Sequence, residues 1–262
     1  MTGVQTCALP ISGISPAELL TKMVVGDTIQ YRVTLVEGWT FRQALQAIWR
    51  SEKIAARLQS ASEQELAALL EIDRRSPEGQ LFPDTYFYSA GTTDVEILRR
   101  AHSRLQQMLA SAWESRLGAL PYDNAYEALI LASIIEKESA LGTERGHISG
   151  VFIRRLESGM RLQSDPTVIY GLGENYSGEL TRADLAAATA YNTYRIEGLP
   201  PTPIALAGME SISASLNPLP SEYLYFVARG DGSHEFSSSL TEHNDAVDRK
   251  STRLNSSHTS IS

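Results

Sequence analysis

Residues 129–140 read LILASIIEKESA, the most informative stretch of the 262-residue chain. Placed on a helix, Leu131, Ile134, Ile135 and Glu138 fall at i, i+3, i+4 and i+7, so the carboxylate of Glu138 continues the most apolar face. A carboxylate in that position is costly. Desolvation disfavours its charged form, raises its pKa and lets it stay protonated near neutral pH, as a general acid must. Glu136 lies two residues away, about 200° around the helix, so the two carboxylates cannot enter one cleft as a paired acid and base. The same geometry also fits a structural Glu138 that ends the helix and pairs with Arg145 or Arg161.

Outward from this helix, other helix starts are legible where Ser or Thr precedes Glu or Gln by three residues, because the two side chains satisfy orphan N–H groups of a first turn. Ser15 with Glu18 opens a short helix to about Met23, and Pro16 is tolerated at its start. Ile29–Val36 alternates as a strand, and Thr40 with Gln43 opens a helix carrying Phe41, Leu45, Ile48 and Trp49. Ser62 with Glu65 opens another, to about Ile72. Residues 73–92, rich in Pro, Gly and Asp, read as loop and as the best domain boundary, with Phe82, Tyr86, Phe87 and Tyr88 packing it onto a core. Thr93 with Glu96 starts a long helix to about Leu117, followed by helices over 124–140 and 144–158, the last stopped by Gly159. Beyond it Gly, Pro, Tyr, Asn and Thr dominate. Short helices after Thr181 and near 208–216, a hairpin of 223–229 with 233–237, and a closing helix over 240–249 complete the reading.

Composition is that of a globular protein: 42% hydrophobic, 21% charged, with 31 Asp and Glu against 23 Lys and Arg for a net charge of -8. Such an acidic chain lacks the positive potential of a phosphate grip, so nucleic acid is not an expected partner. No run of about 18 apolar residues occurs, so no segment in hand reads as spanning a bilayer. Residues 1–11 and 250–262 show neither helical nor strand periodicity and read as a non-native-looking leader and tail, similar to translated adapter sequence. The one cysteine, Cys7, falls in that leader.

Standard signatures fail in turn. There is no GxxxxGK[ST], HExxH or GxSxG, and Gly171-Leu172-Gly173 lacks the third glycine of a dinucleotide loop. The five histidines are scattered and read as surface or capping residues, so neither a metal nor a cofactor is expected. What remains is Met160–Gly173 and Ala190–Pro201, rich in the amide, hydroxyl and aromatic groups that bind sugar hydroxyls and ring faces.

These residues resemble a known family. Ala132-Ser133-Ile134-Ile135-Glu136-Lys137-Glu138-Ser139, Val151–Leu156, Gly159-Met160-Arg161-Leu162-Gln163-Ser164-Asp165-Pro166-Thr167, Tyr191-Asn192-Thr193-Tyr194 and Gly198-Leu199-Pro200-Pro201 are similar, in order, to the endolytic murein transglycosylases (the YceG-like family). The likeness extends over about residues 13–249. It implies an α+β fold, with a partial, small LysM-like α/β subdomain and a connecting helix at 12–72 and a larger mixed helical catalytic domain with a β-hairpin at 73–249.

The resemblance further implies cleavage of the MurNAc-β-1,4-GlcNAc bond of nascent peptidoglycan strands to leave 1,6-anhydro-MurNAc ends. Glu138 takes the catalytic position, as general acid and then base. Gln163, Asp165, Tyr191 and Asn192 are expected to bind substrate, while Glu136 and Glu144 are supporting carboxylates or surface charges. The implied partners are glycan strands and peptidoglycan synthases, and the implied location is the outer face of the bacterial inner membrane, through an anchor outside this chain. The alternatives are a glycan-binding or scaffold protein without catalysis and a two-carboxylate muramidase-type hydrolase.

Overall fold

A computed structural model describes residues 15–25, 29–72 and 76–258; the leader over 1–11, with Cys7, lies outside them. Four of the expected capping pairs form. Ser15 with Glu18 opens α1 (Pro16–Val25). Thr40 with Gln43 opens α2 (Phe41–Arg50), and Ser62 with Glu65 opens α3 (Glu63–Leu69). Thr93 with Glu96 opens the 21-residue α4 (Asp94–Glu114). In each, the hydroxyl accepts a backbone N–H of the first turn while the Glu or Gln side chain accepts that of the cap residue.

The main departure from expectation lies in the stretch read as loop. Thr85–Ser89 is a strand, β2, pairing antiparallel with β1 (Gln30–Thr34), so that Val33 faces Tyr86 and Thr34 faces Thr85. Tyr86 and Tyr88 point inward and Phe87 outward, the period-two alternation of a half-buried strand. Five residues between turn-forming neighbours were too short a window to show it.

Two cores result. Val33, Leu35, Phe41, Leu45, Ile48, Tyr86 and Tyr88 close on Ile97, Leu98 and Ala101 from the first half of α4. Leu105, Leu109 and Ala112 from its second half enter the other core, built on α5 (Ala125–Glu138), α6 (Gly142–Glu157) and α9 (Met209–Leu216). One helix thus serves both. A second bridge is main chain: Gly38 N–H donates to Leu206 C=O at 2.8 Å, and Leu206 N–H to Trp39 C=O at 2.7 Å. Leu206 packs in the first core and its neighbour Ala207 in the second.

Between α6 and α9 lie α7 (Asp165–Leu172) and α8 (Arg182–Ala186), the latter capped by Thr181 as expected. α7 is a helix where loop chemistry was expected. Its start is marked by Ser164-Asp165 followed by Pro166 in the first turn, where a missing N–H costs nothing. The hairpin forms as β3 (Tyr225–Ala228) and β4 (His234–Ser237), antiparallel. α10 (Leu240–His258) runs into the stretch read as tail, since adding a residue to a formed helix needs no new nucleus. The class is α+β, as the sequence implied.

Asp94, fully buried, ties the small N-terminal part to α4. Its Oδ2 accepts from Trp49 Nε1 at 3.1 Å and from the N–H groups of Arg57 and Leu58, each at 2.9 Å. Replacing it leaves three part-buried donors without their acceptor. Asp94→Ala is therefore expected to lower unfolding free energy by about 3 kcal/mol in urea denaturation. A loss within experimental error would show that the tie is not needed.

Candidate active site

Sequence placed one face of α5 in the core; the structure encloses the helix. Ala128 to Ile135 are all buried, and α4, α6, α7 and α9 pack around them. Enclosure of 128–135 fixes the axis of the helix and with it the direction in which its partly exposed last turn leaves the core. The last residue of that turn is Glu138.

The two glutamates near this end part as helix geometry requires. Glu136 Oε1 accepts from Arg145 Nη2 at 3.0 Å in a nearly solvent-free ion pair, and Oε2 accepts the N–H of Gly208 at 2.9 Å. Arg145, considered as a partner for Glu138, is thus used by Glu136. Arg161 turns to the carbonyl of Tyr194. Glu138 instead receives a hydroxyl: Ser164 Oγ donates to its Oε1 at 2.5 Å, while no described residue hydrogen-bonds Oε2.

Ser164 is held by its own surroundings. Its N–H donates to Thr193 Oγ1 at 2.9 Å, its carbonyl accepts from Thr167 Oγ1 at 2.7 Å, and the preceding Gln163 N–H donates to Thr193 C=O at 3.1 Å. Gln163 has a φ of 53°, a left-handed conformation that costs a non-glycine residue energy and persists where surrounding bonds impose it. The strained residue therefore sits directly beside the serine that contacts Glu138.

The residues expected to bind substrate divide into two groups. Gln163 and Asp165 are exposed and flank Ser164, and Asp165 Oδ1 accepts from Tyr194 OH at 2.6 Å. Tyr191 packs edge-on against Tyr170 and its hydroxyl meets Thr202 Oγ1 at 2.8 Å, leaving it half-buried. Asn192 has no exposed surface. Its amide donates to the carbonyls of Asp184, Leu185 and Ala187, and its Oδ1 accepts the N–H of Tyr194. All its hydrogen-bonding capacity in those directions goes to folding the loop that carries Thr193 and Tyr194.

Glu144 is neither free nor beside Glu138. It accepts from the N–H of His234 at 2.9 Å and contacts its Nδ1 at 2.7 Å, fastening β4 to α6. His234 accordingly lies inside rather than at the surface.

Burial pushes the Glu138 carboxyl up to about 7, and the charge of Asp165 adds to the rise, while the Ser164 hydrogen bond and the charge of Arg155 pull it back. A second buried carboxyl behaves alike. Glu78, also raised to about 7 by burial, accepts from the N–H groups of Phe41 and Gly79 and from Tyr170 OH, joining the start of α2 to α7. Gly79 beside it has a φ of +71°, and a Cβ there would meet Pro203 at 2.3 Å, so this junction admits only glycine. Cavities of about 550 and 390 Å³ open elsewhere, the first between α3 and α4 and the second beside Leu199, Pro200 and Pro201. Neither is lined by Glu138.

Residues 11–249 match the model of the YceG-like family. The chain belongs to that family. An endolytic murein transglycosylase of Bacillus subtilis is 30% identical over 254 residues, which cover 90% of this chain and 70% of that protein. One from Streptococcus pneumoniae is 34% identical over 155 residues, 58% of this chain and 28% of that protein. A crystal structure of a yceG-like protein from Listeria monocytogenes superposes with a TM-score of 0.61 at 30% identity, covering 88% of this chain and 81% of that one.

In this YceG-like chain the sequence reading missed Ser164, Tyr194 and Arg155 as site residues. All three lie in or next to the quoted family-like blocks. The available signal for Ser164 was a hydroxyl placed directly before an Asp-Pro helix start.

Because the folded-state pKa of Glu138 lies above its ordinary 4.5, ionising it opposes folding. The folded state holds the proton more tightly, so this group's stability is intact below about pH 4.5 and is lost as pH rises through about 7. Glu138→Gln removes that titration. Relative to the wild type it is expected to gain about 1–3 kcal/mol between about pH 5 and about pH 8 in denaturation experiments. Glu78 titrates in both proteins and cancels. An equal difference at the two pH values would contradict the placement of Glu138.

Proposed function

We propose that this chain is an endolytic murein transglycosylase, in which Glu138 acts as general acid and then general base. The observation that carries the reading is the carboxyl of Glu138 itself: half-buried at the end of α5, raised to about 7 so that a large share stays protonated at neutral pH, with one oxygen fixed by Ser164 and the other left open. The names of the Bacillus and Streptococcus relatives agree with that chemistry.

Glu138 delivers its proton to the glycosidic oxygen as the bond to the muramoyl anomeric carbon breaks. The resulting carboxylate then accepts the proton of the muramoyl C6 hydroxyl while that oxygen attacks the anomeric carbon, which closes the 1,6-anhydro ring and restores the acid. No water is consumed, and one carboxyl serves both halves. A hydrolase needs a second carboxylate across the sugar ring. Asp165, whose charge acts on Glu138, is a candidate for that role, and it is engaged by Tyr194.

Gln163 and Asp165 orient the sugar from the rim beside Ser164, Tyr191 offers a ring edge, and Asn192 acts through the loop it folds. Residues 12–72 hold the glycan strand. A membrane anchor, a position at the outer face of the inner membrane and partnership with a peptidoglycan synthase belong to the same proposal and rest on the family resemblance. Among the described residues no helix is long and apolar enough to cross a membrane.

Mass spectrometry of uncrosslinked glycan after incubation with the protein tests the reading. Fragments lighter by one water than their reducing-end counterparts are expected. Glu138→Gln should lower kcat by about a thousandfold or more. Reducing ends would establish the hydrolase instead, and unaltered strands the binding protein. Since the acid must be protonated in the free enzyme, kcat/KM should fall as pH rises through about 7.

A further inference from the structure

Arg155, on α6, is almost wholly buried, and among the described residues no carboxylate lies within ion-pair distance of it. That is unusual for an interior cation, which normally has a contacting anion. Its guanidinium is held by neutral groups. Nε donates to the carbonyl of Leu224 at 2.7 Å, Nη1 to the carbonyl of Leu162 at 2.6 Å, and the ring of Tyr225 lies 5.3 Å from the guanidinium carbon. Leu162 is two residues before Ser164, on the segment that contacts Glu138; Leu224 leads into β3. The cation therefore sits behind the catalytic segment, aligned by carbonyls and kept from direct contact with an acid.

The contrast with α5's other glutamate is informative. Glu136 has an arginine in direct contact at 3.0 Å. Glu138 has a hydroxyl in contact, and the arginine whose charge acts on it makes no ion pair with it but holds the carbonyl of Leu162, two residues before that hydroxyl. A group that must give up a proton and then reclaim it needs its charged form stabilised in part, and an offset cation does that where a touching one would trap the carboxylate.

We propose that Arg155 is an electrostatic positioning residue for Glu138: anchored by the carbonyls of Leu162 and Leu224, its charge supports the ionised intermediate while its fork fixes the Gln163–Asp165 segment. This deepens the proposed function and rests on Glu138 being the acid. The other groups facing this pair are Asp165 from α7, whose charge acts on Glu138 in the opposite sense, Tyr194, Tyr225 from β3, and His243 from α10, stacked on Tyr225 at 5.3 Å. Burial keeps Tyr194 protonated through the neutral range and disfavours a charge on His243.

The charge and the hydrogen bonds can be separated. Replacing Arg155 with citrulline by codon suppression retains donors for both carbonyls and removes the charge, whereas Arg155→Lys retains the charge and loses the planar fork. The probe is carbon-13 NMR titration of the Glu138 carboxyl, with the pH profile of kcat/KM on uncrosslinked glycan beside it. Citrulline is expected to raise the Glu138 midpoint by about one pH unit, to move the alkaline limb of kcat/KM by the same amount and to lower kcat. Arg155→Lys should leave the midpoint near the wild-type value while lowering kcat through a looser loop. An unmoved midpoint with citrulline overturns the proposal, as does an equal shift in both variants. Activity surviving in Glu138→Gln would instead overturn the catalytic reading, and a citrulline-shifted midpoint would still stand.

Discussion

The hydrogen bond from Ser164 to Glu138 is the contact on which the site depends. It needs a carboxyl brought to the edge of the interior and a hydroxyl that cannot turn away. Each requirement draws in a different part of the fold. The carboxyl is the terminal residue of a helix enclosed by α4, α6, α7 and α9, so it cannot retreat into solvent without dragging packed side chains with it. The hydroxyl is fixed because its backbone is bonded to Thr193 and Thr167, and Thr193 belongs to a loop that Asn192 folds with three donated hydrogen bonds. The strain at Gln163 is absorbed by this same network.

Electrostatics follows from that placement. Loss of water raises the carboxyl's pKa, and the helix C-terminus on which it sits, with its partial negative charge, is a poor place for a carboxylate. Two residues earlier the same helix carries Glu136, matched with Arg145 and the N–H of Gly208, whose work is to bind α5, α6 and the start of α9. Sequence proximity therefore hides a division of labour. The N-terminal part is joined to this framework through α4, the Leu206 main-chain bridge and Glu78, which reaches α2 and α7 at once. Any glycan contact made through β1 or α2 would thus be registered rigidly against Glu138.

Much of this was legible before any coordinates. The capping pairs at Thr40, Ser62, Thr93 and Thr181 are local chemistry, complete within four residues, and they gave helix starts to within a residue. The Leu131, Ile134, Ile135, Glu138 spacing singled out the glutamate that the structure sets against Ser164. What sequence could not show was long-range. β2 exists because β1 lies 51 or more residues away to pair with it, and α7 is short enough that its apolar pattern never completes two clear turns. Asn192 looked like a sugar ligand because an amide beside tyrosines suits that use; only the positions of Asp184, Leu185 and Ala187 show where its hydrogen bonds go. Arg155 lies within the family-like Val151–Leu156 block, but nothing local marks its role, which depends on two carbonyls from other segments.

A crystal structure of the Glu138→Gln protein bound to an uncleaved glycan strand would test the account most directly. The account predicts a glycosidic oxygen within hydrogen-bonding distance of the substituted side chain's amide, the muramoyl C6 hydroxyl on the same side, and no carboxylate near the opposite face of the anomeric carbon. A strand seated away from this position, or Asp165 directly behind the anomeric carbon, would contradict it.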